Sequence, residues 1–388
     1  MMNTRFGKAA SYFGLVLAIV FGWLLYVEAV CFTRLWAADP GTDLIPLQRL
    51  KLVYKNADWV DTFSREWAPS NVYAYKSYVG WERKPFTGKT INIDDANLRL
   101  TMHSQCGIDA YTIWVFGGST VWGAGTPDWL TIPSQLAEMY EKDGRNVCVR
   151  NYGQQAWVNS QEVVKLTLEL KTSPRKPDVV IFYDGPGDVY ETYQSGKPGL
   201  HQNFDSMAGM FERRASAGSG GFQYLMSTNT ARVLAEKSKG GEARKDPSVI
   251  AQETMHTYME NVEFVQALAK QYGFQPAFFW QPTISLGHKR LTPAEQIARD
   301  TARARTPGLE DANQAAYALF QTNCQAPLFC IMDVFDQSEG TIYFDDAHVD
   351  AEGNRLIAKK MYDALHTQTA AASNMADTSG TGSPTTLK

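Results

Sequence analysis

Hydrophobic positions along this chain form three kinds of pattern. The first is one long run. No charged residue occurs between Ala9 and Val27, and the run holds Leu15, Val16, Leu17, Ile19, Val20, Phe21, Leu24 and Leu25. About 20 apolar residues cross a bilayer as a helix, so the run predicts one transmembrane segment. The second pattern is short, β-branched and aromatic: residues 113–116, 146–150, 179–183, 277–280 and 329–335. Each reads as a strand, and the unbroken run Val179-Val180-Ile181-Phe182-Tyr183 suits a strand buried on both faces. The third is helical, expected over about 132–142, 160–170, 248–271, 309–321 and 351–365; in the third of these Ile250, Met255, Met259, Val262, Val265 and Leu268 fall roughly on one face. Strands alternating with helices from Ile108 onward imply an α/β domain with a parallel sheet.

The remaining stretches have weaker periodicity. Residues 40–109 carry Tyr54, Trp59, Phe63, Trp67, Tyr73, Tyr75, Tyr78 and Trp81 and read as a stalk that becomes a layer packed on the main domain. Their aromatics suit core packing or, alternatively, a sugar-binding face. Residues 196–246 are rich in glycine and serine and read as a surface excursion that could cover a site. The charged residues 288–305 are expected to loop out as a lid, and the Ser/Thr/Gly-rich tail 367–388 to be disordered. The expected organisation is a cytoplasmic N-terminus and anchor (1–33), a stalk and packing segment (34–107), a main domain (108–366) and the tail.

Charge sets the topology. Arg5 and Lys8 precede the apolar run, which places the N-terminus in the cytoplasm and the main domain in the periplasm or outside the cell. Trp23 and Tyr26 stand near the far end, where amphipathic rings favour the interface. The run is longer than a signal-peptide core, and Trp36-Ala37-Ala38 is a poor cleavage site, so an uncleaved anchor is expected. A net charge of -4 lends no support to nucleic-acid binding. The six histidines and five cysteines show no paired metal-ligand spacing, and neither a metal nor a cofactor is expected. Cys324 and Cys330 could close a small loop, and Cys106 could reach Cys148 if their strands are neighbours; the odd count, with Cys31 at the end of the anchor, leaves the pairing open.

The candidate chemistry gathers where strands end. The first strand runs into Gly117-Gly118-Ser119, the second into Asn151-Tyr152-Gly153-Gln154, the third into Gly185-Pro186-Gly187-Asp188. Three successive glycine-containing loops thus fall on one edge of a parallel sheet, where ligands bind in open α/β folds. Before the last helix stand Asp345, Asp346 and His348. An Asp three residues ahead of a His can fold back on the imidazole and orient it as a base for a serine.

In their order these four blocks resemble the SGNH (GDSL-type) hydrolase superfamily, with Gly117-Gly118-Ser119 where many members have Gly-Asp-Ser. The resemblance implies a three-layer α/β/α sandwich around a mostly parallel sheet, and serine esterase chemistry. Ser119 would be the nucleophile, His348 the base and Asp345 its partner, with Asp346 one residue too close for the family spacing. The N–H groups of Ser119 and Gly153 would form part of the oxyanion hole. The third block departs from the family's Gly-x-Asn-Asp by placing Gly187 where the donor asparagine stands. Its own N–H, Asn151, Gln154 or a water would have to substitute. Asn151, Gln154 and Asp188 are the expected substrate-binding residues. The function implied is a membrane-anchored, extracytoplasmic esterase removing O-acyl groups, acetyl above all, from a glycan. The alternatives are an O-acyltransferase using the same residues, a lipase or lysophospholipase, and a non-catalytic glycan- or protein-binding domain.

Overall fold

Alternating side chains explain the central sheet. In the computed structural model, which describes residues 3–38, 47–55, 57–202, 204, 207–209, 230 and 245–379, the chain divides into two units. One takes in Met1–Asp43 and Asn203–Arg244, the other Leu44–Gln202 and Lys245–Lys388. Most of the expected excursion 196–246, and residues 380–388 of the expected tail, lie outside the described residues.

The first unit contains α1 (Asn3–Ala38). Within it Leu15–Thr33, 19 residues with mean hydropathy 2.3, is long and apolar enough to cross a membrane. This window lies further along the chain than the run 9–27, because the helix continues through Val30, Cys31 and Phe32. Its acidic residue Glu28 accepts hydrogen bonds from the N–H (3.0 Å) and hydroxyl (2.8 Å) of Thr230.

In the second unit α2 (Leu47–Val53), α3 (Val60–Ser70) and the hairpins β1 (Tyr73–Lys76) with β2 (Gly80–Arg83) and β3 (Phe86–Thr87) with β4 (Asn92–Ile93) precede the sheet. The chain then runs through β5 (Tyr111–Gly117), α4 (Ser119–Trp122), α5 (Ile132–Lys142), β6 (Val147–Asn151), α6 (Asn159–Thr172), β7 (Val179–Asp184) and α7 (Pro186–Ser195). It continues with α8 (Pro247–Tyr272), β8 (Gln275–Trp280), α9 (Pro293–Arg305), α10 (Leu309–Gln321), β9 (Leu328–Cys330) and α11 (Ala351–Ser379). Strands β5 to β9 form one parallel sheet in the order β6-β5-β7-β8-β9.

Residues of opposite parity face opposite layers. Trp114, Phe116, Val180, Phe182, Phe278 and Trp280 pack with α6, α8 and α10. Ile113, Val115, Ile181, Tyr183, Ala277 and Phe279 pack with α5, α9 and α11. The result is a three-layer α/β/α sandwich, with both sheet faces apolar as a fully covered parallel sheet requires. The strand order reverses direction between β5 and β7, and at such a switch point the loops diverge and leave a crevice. A third cluster joins Val60, Phe63, Trp67, Ile91 and Ile93 to Trp122 and Ala124, so these aromatics of the 40–109 segment are core, while Tyr75 and Tyr78 are exposed. Disulfides join Cys106 to Cys148 and Cys324 to Cys330, and Cys31 is free.

Three expectations are corrected. The run 329–335 is not one strand: β9 ends at Cys330, and Met332–Phe335 is a 3-10 turn that buries Met332, Val334 and Phe335. A short apolar run fits either state, and only the partner strand decides. The closing helix α11 continues to Ser379, past the expected end at 365. The charged segment 288–305 is not a loop, because 293–305 forms α9. The missed signal is a capping box: Thr292 Oγ1 accepts from the Glu295 N–H, Glu295 returns a bond to the Thr292 N–H, and Pro293 takes the first turn.

Glu295 also anchors α9 to the loop before α11. Its fully buried carboxylate accepts from Lys289 Nζ (2.8 Å) and from the N–H groups of Ile342 (2.9 Å) and Tyr343 (3.1 Å). Burial pushes this carboxyl up, but Lys289 and the three backbone donors more than offset it and hold it below its ordinary value. A depressed folded-state pKa stabilises the fold above the unfolded value near 4.3 and loses that contribution as pH falls. Glu295→Ala strands Lys289 and should lower unfolding free energy by about 3–5 kcal/mol at neutral pH in a denaturant titration. The deficit should shrink as the pH is lowered below about 4.

Candidate active site

The site starts from glycines that no other residue could replace. A Cβ on Gly117, the last residue of β5, would lie 2.6 Å from the Tyr183 carbonyl oxygen and 2.4 Å from Val121 Cγ2. One on Gly153 would lie 2.3 Å from the Trp122 nitrogen. Without them the chain folds tightly over the end of β5, and Ser119 becomes the first residue of α4 at the switch point. The carboxyl end of α4 is stapled by Arg99. Its Nη1 donates to the carbonyls of Trp122 (3.0 Å) and Gly123 (2.7 Å), Nη2 to that of Thr126 (2.6 Å), and Nε to Asp128 (2.9 Å). Trp122 is gripped by two guanidinium groups, Arg83 at 3.7 Å and Arg99 at 4.2 Å from its ring.

His348 arrives from the loop before α11. Its Nε2 lies 2.7 Å from Ser119 Oγ, and its Nδ1 lies 2.7 Å from Asp345 Oδ2. The other Asp345 oxygen accepts from the N–H groups of Ala347 (2.9 Å) and His348 (2.7 Å). Burial pushes the Asp345 carboxyl up, but His348 and these amides outweigh it and hold it below the usual range. An ionised carboxylate only accepts, so Nδ1 carries the proton; Nε2 is then the free acceptor for the Ser119 hydroxyl. The imidazole lies parallel to the Phe344 ring. Asp346 has a different partner. It faces Arg305 at 3.6 Å, and burial together with Asp345 raises its carboxyl.

Three expected substrate contacts face inward instead. Asn151 (1% exposed) accepts from the Gly153 N–H at 2.9 Å and donates to the Val121 carbonyl at 2.9 Å. Gln154 (2% exposed) accepts from the Arg83 N–H and donates to the Asn97 carbonyl, both at 3.0 Å. Asp188 (6% exposed) accepts from the Asn159 N–H at the start of α6 at 3.0 Å. All three brace the loops beneath the site through these bonds, since most buried polar groups pair inside the protein, although Asp188 Oδ2 has no hydrogen-bond partner among the described residues. The Gly153 N–H, an expected oxyanion donor, donates to Asn151 in this structure.

Gly187 is exposed in the first turn of α7, where N–H groups have no intrahelical acceptor. Cβ atoms built on Gly187 and Gly118 would stand 3.7 Å and 3.5 Å from the same atom, the Trp157 carbonyl oxygen, so Gly187 borders the Ser119 turn. Sequence patterns gave no sign of Ala156, which holds φ +58 in that loop, a left-handed conformation uncommon outside glycine. Nor did they single out Gln281, whose amide lies between Thr120 and Ala347. Among the described residues no group of His, Cys, Asp and Glu could hold a metal ion. A cleft of about 780 Å³ lined by Lys55, Thr292, Thr341 and Asp350 contains none of Ser119, Asp345 and His348.

No protein-family model matches the chain, and no curated protein matches it. Among solved structures, a member of the lipolytic protein G-D-S-L family from Veillonella parvula is similar at 13% identity and TM-score 0.37, over 65% of this chain and 96% of that one. An acetyl xylan esterase is similar at 14% identity and TM-score 0.35, over 66% and 99%. The psychrotrophic esterase EstA from Pseudoalteromonas sp. is similar at 11% identity and TM-score 0.37, over 67% and 99%.

Beneath α7 lies a buried acidic cluster. Tyr258 Oη donates to Asp184 Oδ1 at 2.6 Å and Asn159 Nδ2 to Asp184 Oδ2 at 2.8 Å, with Glu162 and Asp188 alongside. Burial first, then mutual repulsion, raises Glu162 and Asp188 well above the ordinary carboxyl range. A raised folded-state pKa gives stability that is complete below the unfolded value near 4 and is lost as pH rises through the folded value. Glu162→Gln, which cannot ionise, should therefore gain thermal stability relative to wild type as the pH is raised from about 5 to 9. A melting-temperature difference that is flat across that range would show the cluster to be ionised in the native state.

Proposed function

We propose that this chain is a membrane-anchored serine esterase that removes O-acyl groups from an extracytoplasmic glycan through an acyl-serine intermediate. One observation carries the reading: the continuous hydrogen-bonded chain from Asp345 through His348 to Ser119, with both contacts at 2.7 Å. A serine hydroxyl is a weak nucleophile at neutral pH and needs such a base. As Ser119 Oγ bonds to the ester carbonyl carbon, its proton passes to His348 Nε2, and Asp345 stabilises the imidazolium. The N–H groups of Ser119 and Gly187, both in first helical turns, are the donors proposed for the oxyanion. Collapse expels the alcohol, which takes its proton from His348. Water, activated by the same imidazole, then releases the acid and regenerates Ser119.

The apolar window Leu15–Thr33 supports anchoring, and Arg5 and Lys8 before it support a cytoplasmic N-terminus. The two disulfides support an oxidising compartment for the main unit. Acetyl is proposed as the acyl group and a sugar as its carrier; exposed Tyr75 and Tyr78 offer aromatic surface for sugar rings. One feature favours a second reading, a glycan-binding domain without turnover: Gly187 supplies no side-chain donor.

Hydrolysis of p-nitrophenyl acetate by the detergent-solubilised chain separates the two. Ser119→Ala should lower kcat by about 10³-fold or more and abolish fluorophosphonate labelling. The φ of Gly187 is not in the left-handed region and a Cβ there would make only an ordinary 3.7 Å contact with the Trp157 carbonyl oxygen, so Gly187→Asn should be accepted and should raise kcat by roughly 10-fold if it adds an oxyanion donor. Equal labelling of wild type and Ser119→Ala would remove Ser119 from the mechanism.

A further inference from the structure

Ser119 and His348 lie 229 residues apart, and no strand ladder joins their loops directly. Ser119 follows β5, whereas the loop carrying His348 packs beyond β8, with β7 between the two strands. The side chain that crosses this gap is Gln281, the residue after β8. It is 7% exposed, and its N–H is fixed on the Asp184 carbonyl at 2.9 Å. Its Oε1 accepts from the Thr120 hydroxyl at 3.0 Å, and its Nε2 donates to the Ala347 carbonyl at 3.3 Å. The Ala347 carbonyl can only accept, so it must meet the amide nitrogen; this fixes the amide orientation and leaves the oxygen for Thr120. Three residues later the Ile284 N–H donates to the Asp346 carbonyl at 3.0 Å, so the segment after β8 holds two successive carbonyls of the histidine loop.

We propose that Gln281 is a positioning residue whose amide ties the chain neighbour of Ser119 to the chain neighbour of His348 and so sets the gap between nucleophile and base. The assignment rests on the esterase reading above. Thr120 follows Ser119 and Ala347 precedes His348, so a shift at either end of the amide moves a reacting group. The Ile284 bond, the Asp345 bonds and the Tyr343–Val349 bridge hold the loop independently. Losing the amide should therefore misalign the loop without unfolding it. Misplacement by about 1 Å is enough to cost on the order of 10² in rate.

The test uses the full chain in detergent, with p-nitrophenyl acetate turnover, fluorophosphonate labelling and thermal melting measured together. Gln281→Met keeps the length and removes both polar arms. Its kcat and labelling rate should fall by about 10- to 100-fold, with KM within about 2-fold of wild type. If that variant melts early, Thr120→Val removes the serine-side arm alone and carries the same expectation for kcat. Gln281→Glu gives a readout that a merely structural role would not move. The neutral acid reproduces both bonds, O–H to Ala347 and C=O to Thr120, whereas the carboxylate turns an oxygen on the Ala347 carbonyl. Its kcat relative to wild type should rise as the pH is lowered. A Gln281→Met or folded Thr120→Val enzyme with wild-type kcat and labelling, a loss confined to KM, or a pH-independent Gln281→Glu ratio would each overturn the positioning role and leave the esterase reading standing. A wild type with neither turnover nor labelling would remove the esterase reading, and this assignment with it.

Discussion

A hydroxyl and an imidazole carried by loops 229 residues apart must meet at 2.7 Å, and much of the unit around them can be understood from that constraint. A single hydrogen bond contributes only about 1 kcal/mol net, far too little to hold two loops in register. The distance is set by what lies beneath. Residues of β5 alternate between the two apolar layers, which fixes where the strand ends, and Gly117 and Gly153 let the chain turn there without a clash. On the other side the histidine loop is held through backbone amides bound to Asp345 and Glu295, and through carbonyls that accept from Gln281 and Ile284.

Buried polar groups do much of this holding. Arg99, Asn151 and Gln154 are each nearly inaccessible, and each has bonds that cross between separate segments. Desolvating them is costly unless their partners are in place, so they favour one arrangement of the loops over near alternatives. Arg99 illustrates the point. Its guanidinium neutralises Asp128, covers a face of Trp122 and satisfies the carbonyls at the end of the turn that begins at Ser119. The acidic group of Glu162, Asp184 and Asp188 acts differently: its carboxyls sit close together, and burial raises each of them above its ordinary value.

The sequence made the framework legible because its signals are local. The α/β alternation, the first four strand cores, helix 132–142 and the apolar N-terminal run follow from side-chain periodicity within a few turns of chain. The three glycine loops were legible for the same reason: a parallel sheet brings the ends of its strands to one edge whatever their order. Asp345 and His348 are close in sequence, so their contact is a local one. What the sequence misjudged locally was the 329–335 run, where β9 stops once it no longer has β8 to pair with, and the 293–305 helix, whose capping box was hidden by its charge.

Tertiary structure alone decided which polar residues of the strand-end loops turn inward. Asn151, Gln154 and Asp188 stand in the loops that suggested a binding role, yet each turns inward, because Val121, Arg83 and Asn97, and Asn159 present partners from distant parts of the chain. Gln281 carries no motif, and its position between Thr120 and Ala347 depends on β8 lying two strands from β5. Side-chain type and periodicity fix the elements, since these depend on neighbours along the chain. The direction of a buried polar group depends on donors and acceptors that only folding brings within 3 Å or so, and that information is not local.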